Sequence, residues 1–344
     1  MRDCQGSWLK RPPVILPHIY WRVKPLIPRR LQVGIRQQWA SVVRRWRGNG
    51  WPIDEKAAKL PSAWSGWPQG KRFALVLTHD VETAVGQQRC PKLAEIEQEF
   101  GFRSCWLFVP ERYEVSADLR QYLAANGFEI GVHGLRHDGK LFSSRREFER
   151  RAEKVNMYLR DWQAVGFRSP CTYRNLEWIG DLEIEYDCST FDTDPYEPQP
   201  DGMGTIFPFW VPHSSTGTKG YVELPYTIPQ DWTVFVLLRE RGIGLWKRKL
   251  DWICEKGGMA LVVVHPDYLY FDKAQSRYDN YPAEYYTEFL EYIKNRYQGQ
   301  YWHALPRDVA RFWAKRYGST VCPPADVPEL HPVAQTVRAD QDAW

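Results

Sequence analysis

Long apolar runs are missing from this chain. The basic N-terminus leads through Lys10-Arg11-Pro12-Pro13 into an apolar run of only residues 14–16, which Pro17 and His18 close. That is neither a signal-peptide core nor a membrane span. Close cysteine pairs are missing too. The seven Cys, at 4, 90, 105, 171, 188, 254 and 322, contain no Cys-x-x-Cys and form an odd set without framework spacing. This argues against a disulfide scaffold and suits a reducing compartment, so a cytoplasmic protein is expected. No internal repeat of fixed period is visible, which sets aside solenoid and propeller arrays.

Acids are almost absent from the first fifty residues, which hold eleven Lys or Arg against Asp3 alone. That arm therefore carries +10 of a net charge of +4, and the remainder carries −6. A mildly acidic body behind a basic arm is not a nucleic-acid-binding body. Apolar material is ample, at 43% of the residues, so a packed core is expected. Aromatics reach 15%, with 17 Trp. Such rings either stack on sugar or fill the core, and composition alone does not choose.

From Arg72 onward, short apolar runs alternate with helical patterns. Strands are predicted at residues 73–77, 105–109, 128–132, 186–189, 260–264 and 301–305, with a further short one at 167–170. Helices are predicted at 91–100, 117–125, 143–165, 238–255, 282–297 and 306–317. The alternation means a parallel α/β architecture, open sheet or barrel. Between 191 and 228 the pattern dissolves into Asp-Pro, Gln-Pro and Asp-Gly stretches, expected to be a substrate-facing loop. Three regions follow: a basic extension over 1–70, a barrel over 71–317 and a Pro-containing tail over 318–344.

Polar residues gather where the predicted strands end, and parallel folds build their sites at those ends. One strand runs into Thr78-His79-Asp80-Val81-Glu82, another into His133-Gly134-Leu135-Arg136-His137, and the apolar 261–264 run into His265-Pro266-Asp267. His133 and His137, four apart, can face one way in a helical turn and bind a metal together with a carboxylate. Asp80 and Glu82 alternate along an extended chain and so share a face. One can ligate while the other takes a proton from water, or either can simply cap a helix. The fork of Arg168 suits clamping a carboxylate. His265, at the mouth of a buried strand, suits a proton donor beside a carboxylate, for which Asp187 is the candidate.

These segments, in this order, resemble the polysaccharide deacetylase family (carbohydrate esterase family 4, the NodB-homology domain) over roughly residues 70–317. The resemblance implies a distorted (β/α) barrel and removal of N- or O-acetyl groups from sugars. Thr78-His79-Asp80-Val81-Glu82 is similar to the family's first motif, which makes Asp80 the catalytic base and Glu82 the carboxylate ligand. His133 and His137 match the second motif and its two metal ligands. Arg168-Ser169-Pro170 matches the third, whose Arg orients the base, with Cys171 in place of Tyr. Asp187 with Phe191 matches the fourth, and Val263-Val264-His265 the fifth, whose His is the catalytic acid. The implied cofactor is a divalent metal, zinc before cobalt, nickel or iron. The implied partner is a carbohydrate. Two other readings stand beside this one: a metal-independent hydrolase of a small amide, and a barrel that only binds glycan.

Residues Leu31, Ile35, Trp39, Val42, Val43 and Trp46 form an apolar stripe at helical period, flanked by Arg29, Arg30, Arg36, Arg44, Arg45 and Arg47. A helix packing that stripe on the barrel is the first expectation. An interfacial helix on anionic membrane over residues 29–47 is the second.

Overall fold

The computed structural model describes residues 27–47, 50–213 and 220–318. The tail expected beyond 318 lies outside them, as does the apolar run at 14–16. The sheet is built on β1 (Phe73–Val81), buried along its whole length and hydrogen-bonded on both sides. On one side it pairs first with β11 (Tyr301–His303) and then with β2 (Cys105–Phe108). On the other it pairs with β8 (Met259–Val264). Parallel pairing continues from β2 to β3 (Glu129–His133), β4 (Gly166–Arg168), β5 (Tyr186–Asp187) and β7 (Gly220–Glu223). Only β6 (Phe209–Pro212) runs antiparallel, against β7.

The chain beyond β7 draws the two ends of the sheet together. Tyr226 bridges to Phe191, and the backbone N–H groups of Thr227 and Ile228 donate to Leu261 of β8. Side chains reinforce the seam, since Thr227 Oγ1 donates to Met259 and accepts from Leu261 N. The result is a curled, mostly parallel barrel with the strand C-termini on one face, as the alternating pattern predicts. The irregular segment 191–228 is therefore more than a substrate loop, because it supplies two strands and the seam.

Helices cover the outside: α2 (Ala84–Phe100), α3 (Ala117–Ala125), α4 (Arg145–Asp161), the single turn α5 (Leu176–Ile179), α6 (Gly244–Lys256), α7 (Glu284–Tyr297) and α8 (Pro306–Tyr317). The apolar periodicity places α3 and α8 at their observed bounds. Helix α2 begins seven residues before its predicted start, because Thr83 caps it and Pro91 is carried inside the helix rather than opening it. Helix α6 starts six residues later than predicted, because Arg239 and Gly242 take left-handed φ values of 58° and 108°, and a turn of π-helix over residues 232–237 precedes it. Two strands pair at the rim, β9 (Leu269–Tyr270) and β10 (Tyr281–Pro282). Most tryptophans prove to be core filler. Trp64, Trp67, Trp302 and Trp313 cluster with Phe207 and Phe312 near the start of β1, so residues 50–70 are built into the barrel.

Helix α1 (Arg29–Arg47) lies on the π-turn, with Gln37 Nε2 donating to Val236 O at 2.9 Å. Its inward face is Val33, Gln37 and Ala40, not the apolar stripe. Of the stripe Val43 is packed against the core and Trp39 meets buried Tyr196 edge-on at 6.3 Å, while Leu31, Ile35, Val42 and Trp46 face outward. The first expectation for this helix is thus corrected: small residues bring the backbone close to the barrel and leave the large ones outside.

One buried carboxyl gives this fold a pH signature. Glu129 of β3 accepts hydrogen bonds from Tyr186 Oη at 2.8 Å and Arg307 N at 3.2 Å. Burial outweighs these donors and pushes its pKa up from 4.5 to about 7. The native state then holds a proton that the unfolded chain has released, so this group's contribution to stability falls as pH rises from 4.5 through 7. Glu129→Gln, which copies the neutral acid, should raise Tm over the parent at about pH 8 and converge with it near pH 4.5. Thermal melts across that range test this.

Candidate active site

A cleft of about 550 Å³ opens where β1, β3, β4 and β8 end, and Asp80, Glu82, His133, His137, Arg168 and His265 all line it. Strand alternation does the first sorting. Thr78 and Asp80 point inward from β1, whereas His79 points out to the helices, where its Nε2 meets Glu97 at 2.8 Å and its ring lies on Trp106. His79 is therefore a buried structural residue.

Arg168 is buried, and every arm of its fork is used. Nη1 donates to Asp80 Oδ1 at 2.7 Å, Nη1 and Nη2 to Thr78 Oγ1 at 3.0 and 3.1 Å, and Nε to Cys188 O at 2.8 Å. Burial by itself would raise the Asp80 pKa, but Arg168, His133 and His265 together hold it below the usual range. Asp80 Oδ2 is left facing the cleft, 3.8 Å from both His133 Nε2 and His265 Nε2.

Glu82, His133 and His137 converge so that one ligand atom from each lies within 4.8 Å of the others. His137 Nε2 stands 3.0 Å from Glu82 Oε1, close to the roughly 3.3 Å spacing of two ligands around a tetrahedral zinc. His133 gives the sharper test. Its Nδ1 meets the Arg168 carbonyl at 3.1 Å, which assigns the proton to Nδ1 and a lone pair to Nε2. That Nε2 is buried and has no hydrogen-bond partner. Burial pushes the His133 pKa down to about 4, so the ring is neutral at physiological pH. An aimed, orphaned lone pair beside a carboxylate and a second imidazole fits a divalent ion.

The two histidines do not sit in the helical turn that their spacing suggests. Gly134 and His137 both take left-handed φ values, 61° and 55°, and the chain bends between them. Gly134 is required, because a Cβ there would stand 2.4 Å from the Pro170 ring. The bend brings the two imidazole centroids to 5.2 Å.

The far wall corrects one expectation. The carboxylate poised on His265 is Asp231, not Asp187. Asp231 Oδ1 meets His265 Nδ1 at 2.6 Å, and its Oδ2 accepts from His265 N and Tyr281 Oη, both at 2.8 Å. Burial opposes the charge on His265, but Asp231 outweighs it and raises the pKa to about 10, so Nε2 carries a proton toward the cleft. Asp187 lies on β5 opposite Glu223, and Ser189 Oγ donates to it at 2.6 Å. Burial raises the pKa of both carboxyls, which are bonded to each other, and Glu223 most of all. Asp231 escaped detection because it follows the irregular 191–228 segment. Its only local signal was an Asp beginning the apolar run 232–237. Asp267 and Tyr268 were also missed. Asp267 accepts from Glu82 N and Thr83 Oγ1, and Tyr268 Oη donates to Glu82 Oε2 at 2.9 Å, so β1 and β8 are clamped together at the ligand.

No family model matches this chain, and no curated protein matches it in sequence. Solved structures do. A protein from Mycobacterium smegmatis assigned as a polysaccharide deacetylase superposes with TM-score 0.59 at 19% identity, over 77% of this chain and 99% of that one. The fold is that of the polysaccharide deacetylases. A second protein so assigned, from Pseudomonas aeruginosa PAO1, aligns over 77% and 99% of the two chains with TM-score 0.55 and 17% identity. Puue allantoinase shares the fold as well, at TM-score 0.57 and 18% identity, over 77% and 98%. The deacetylase fold expected from the five motifs is thus the fold observed, with a parallel barrel carrying its polar residues at one rim.

Two measurements probe this rim. His133→Ala and His137→Ala should each reduce bound metal, read by elemental analysis, by more than the ~10–100-fold affinity loss that follows from disturbing a supporting residue. Asp231→Asn should lower the His265 pKa, so the alkaline limb of kcat/KM moves to lower pH while the fold persists. An unmoved limb would separate Asp231 from the chemistry.

Proposed function

We propose that this cleft hydrolyses an N-acetyl, or O-acetyl, group on a sugar or polysaccharide with the help of a divalent metal, zinc before cobalt, nickel or iron. The observation that carries the reading is the convergence of three components in one cleft: a ligand set (Glu82, His133, His137), an ionised carboxylate held by Arg168 (Asp80) and a protonated imidazole held by Asp231 (His265). Metal-assisted hydrolysis of an amide uses all three.

A divalent ion in this set supplies Lewis acidity toward the acyl oxygen and lowers the pKa of water. The chain's own residues do the rest. Asp80 Oδ2, fixed by the Arg168–Oδ1 bond, accepts a proton from the water that attacks the acyl carbon. His265 Nε2 gives its proton to the departing nitrogen as the C–N bond breaks, and Asp231 stabilises the imidazolium beforehand. The backbone turns through a left-handed φ of 57° at Cys171 on the cleft wall, and its N–H is the donor we assign to the oxyanion. Asp187 has a different role in this scheme: beneath Ser189, whose Oγ accepts from Ser169 N, it positions the backbone that follows Arg168. Tyr268, whose ring lies 4.6 Å from that of buried Trp232, is the aromatic we assign to the sugar ring at the cleft wall. We keep a reducing, cytoplasmic setting as our reading; Cys90, Cys105, Cys188 and Cys254 are buried thiols in the barrel.

The experiment is acetate release from a panel of N- and O-acetylated sugars and polysaccharides, with chelator and with added metals. Release that chelator abolishes and zinc restores is the expected result. Because the fold is shared with an allantoinase, a small cyclic amide belongs in the panel. Its turnover without metal, and no acetate release, would replace this reading. Asp80→Asn should keep the fold and lower the rate by about 10²–10⁴-fold, the range for a lost acid–base group. Unaltered glycan binding by that variant, with no acetate released by the parent, would mean a binding barrel. His265→Ala should slow an amide far more than an activated aryl ester, whose leaving group needs no proton.

A further inference from the structure

The face of α1 turned away from the barrel is out of keeping with a water-exposed helix. Among the described residues, Leu31, Ile35, Trp39, Val42 and Trp46 are exposed, from 40% for Trp39 to 69% for Trp46. At 100° per residue these five fall within an arc of about 80°. Val33, Gln37 and Ala40, which are buried, fall on the opposite side. The helix is thus already docked, by its narrow polar–small face and the Gln37 bond to the π-turn, and the apolar stripe is surplus to that docking. Scattered apolar residues on a surface need no explanation, but a continuous stripe of this kind marks a contact surface.

Charge selects the occupant. Helix α1 contains six Arg and no Asp, Glu or Lys. Arg36 flanks the stripe on one side and Arg45 on the other. Arg239 and Arg241 add positive charge where α1 meets the barrel, and Arg239 bonds Gln37 at 2.6 Å. Glu240 pairs with Arg44 and Asp279 with Arg29. Residues 1–26, the neighbouring stretch of this chain, carry five Lys or Arg against Asp3, so they add like charge beside the helix. A second copy would set Arg against Arg. An apolar stripe between basic flanks matches the boundary between acyl chains and anionic headgroups.

We propose that α1 seats this protein on an anionic lipid surface, with Leu31, Ile35, Val42 and Trp46 inserted, Trp39 at the edge of the contact, and Arg45 at headgroup level. The same helix sends Arg29 and Arg36 to the wall of the cleft, so the cleft mouth opens beside the seated face. The proposal does not depend on the reaction assigned above, and its test needs no substrate.

Full-length protein is mixed with vesicles of phosphatidylcholine containing phosphatidylserine in equal part, at low salt, and sedimented. It should travel with these vesicles, and its bound fraction should fall by at least ~10-fold on pure phosphatidylcholine or in high salt. Ile35, Val42 and Trp46 replaced together by Ser should remove binding and leave Tm unchanged, since exposed side chains contribute little to the fold. Failure of the parent to bind anionic vesicles overturns the proposal, as does binding that survives the triple substitution. A dimer in sedimentation velocity that the triple substitution dissociates also overturns it, because the stripe would then face a second copy.

Discussion

A single buried guanidinium ties the rim of this barrel together. Arg168 leaves β4 inside the structure and reaches β1 through Thr78 and Asp80, and the chain after β5 through Cys188 O. Burying a charge is costly unless its hydrogen bonds are made and a counter-charge is near, and here both conditions are met. The consequence runs in two directions. Asp80 is kept ionised with one oxygen occupied and the other free, and the carbonyl of Arg168 itself fixes the tautomer of His133. The orientations of Asp80 and His133 therefore depend on one residue.

The rim also separates charges that would otherwise cancel. Asp80 and His265 face each other at 3.8 Å, yet each has its own partner behind it, Arg168 for one and Asp231 for the other. Arg168 helps to lower the carboxylate pKa and Asp231 raises that of the imidazole, so an ionised carboxylate and a protonated imidazole coexist. A pair of groups pushed apart in this way is what acid–base hydrolysis requires. The neighbouring Asp187–Glu223 pair does the reverse. Burial raises the pKa of both carboxyls, and with Ser189 and Thr190 they brace the backbone of β5 and β7 behind the site.

The aromatic excess has a divided purpose. Most rings fill the end of the barrel remote from the site, where Trp64, Trp67, Trp302 and Trp313 pack edge and face. Trp232 and Tyr268 stand at the cleft, and Arg29 and Arg36 of α1 lie over Trp232. Helix α1 is thus part of the cleft wall as well as an exposed apolar surface, which joins the N-terminal arm to the site.

Much of this was determined by sequence alone. Apolar runs alternating with helical patterns dictate parallel strands, and parallel strands place their C-termini on one face. A polar residue at any strand end is therefore near every other, and Asp80, Glu82, His133, Arg168 and His265 meet for that reason. Tertiary structure decided the rest, because partners across loops are not periodic. Asp187 had the family's motif position, but Asp231 arrives from the π-turn after the seam and occupies the place behind His265. His79 stands next to Asp80 in the sequence, and only the pleat of β1 and the reach of Glu97 turn it outward. The spacing of α1 defines a stripe without saying which way it faces. Val33, Gln37 and Ala40 allow a closer approach than Leu31 or Trp39, and the open carbonyl of Val236 bonds Gln37, so packing chose the small face and left the large one outside.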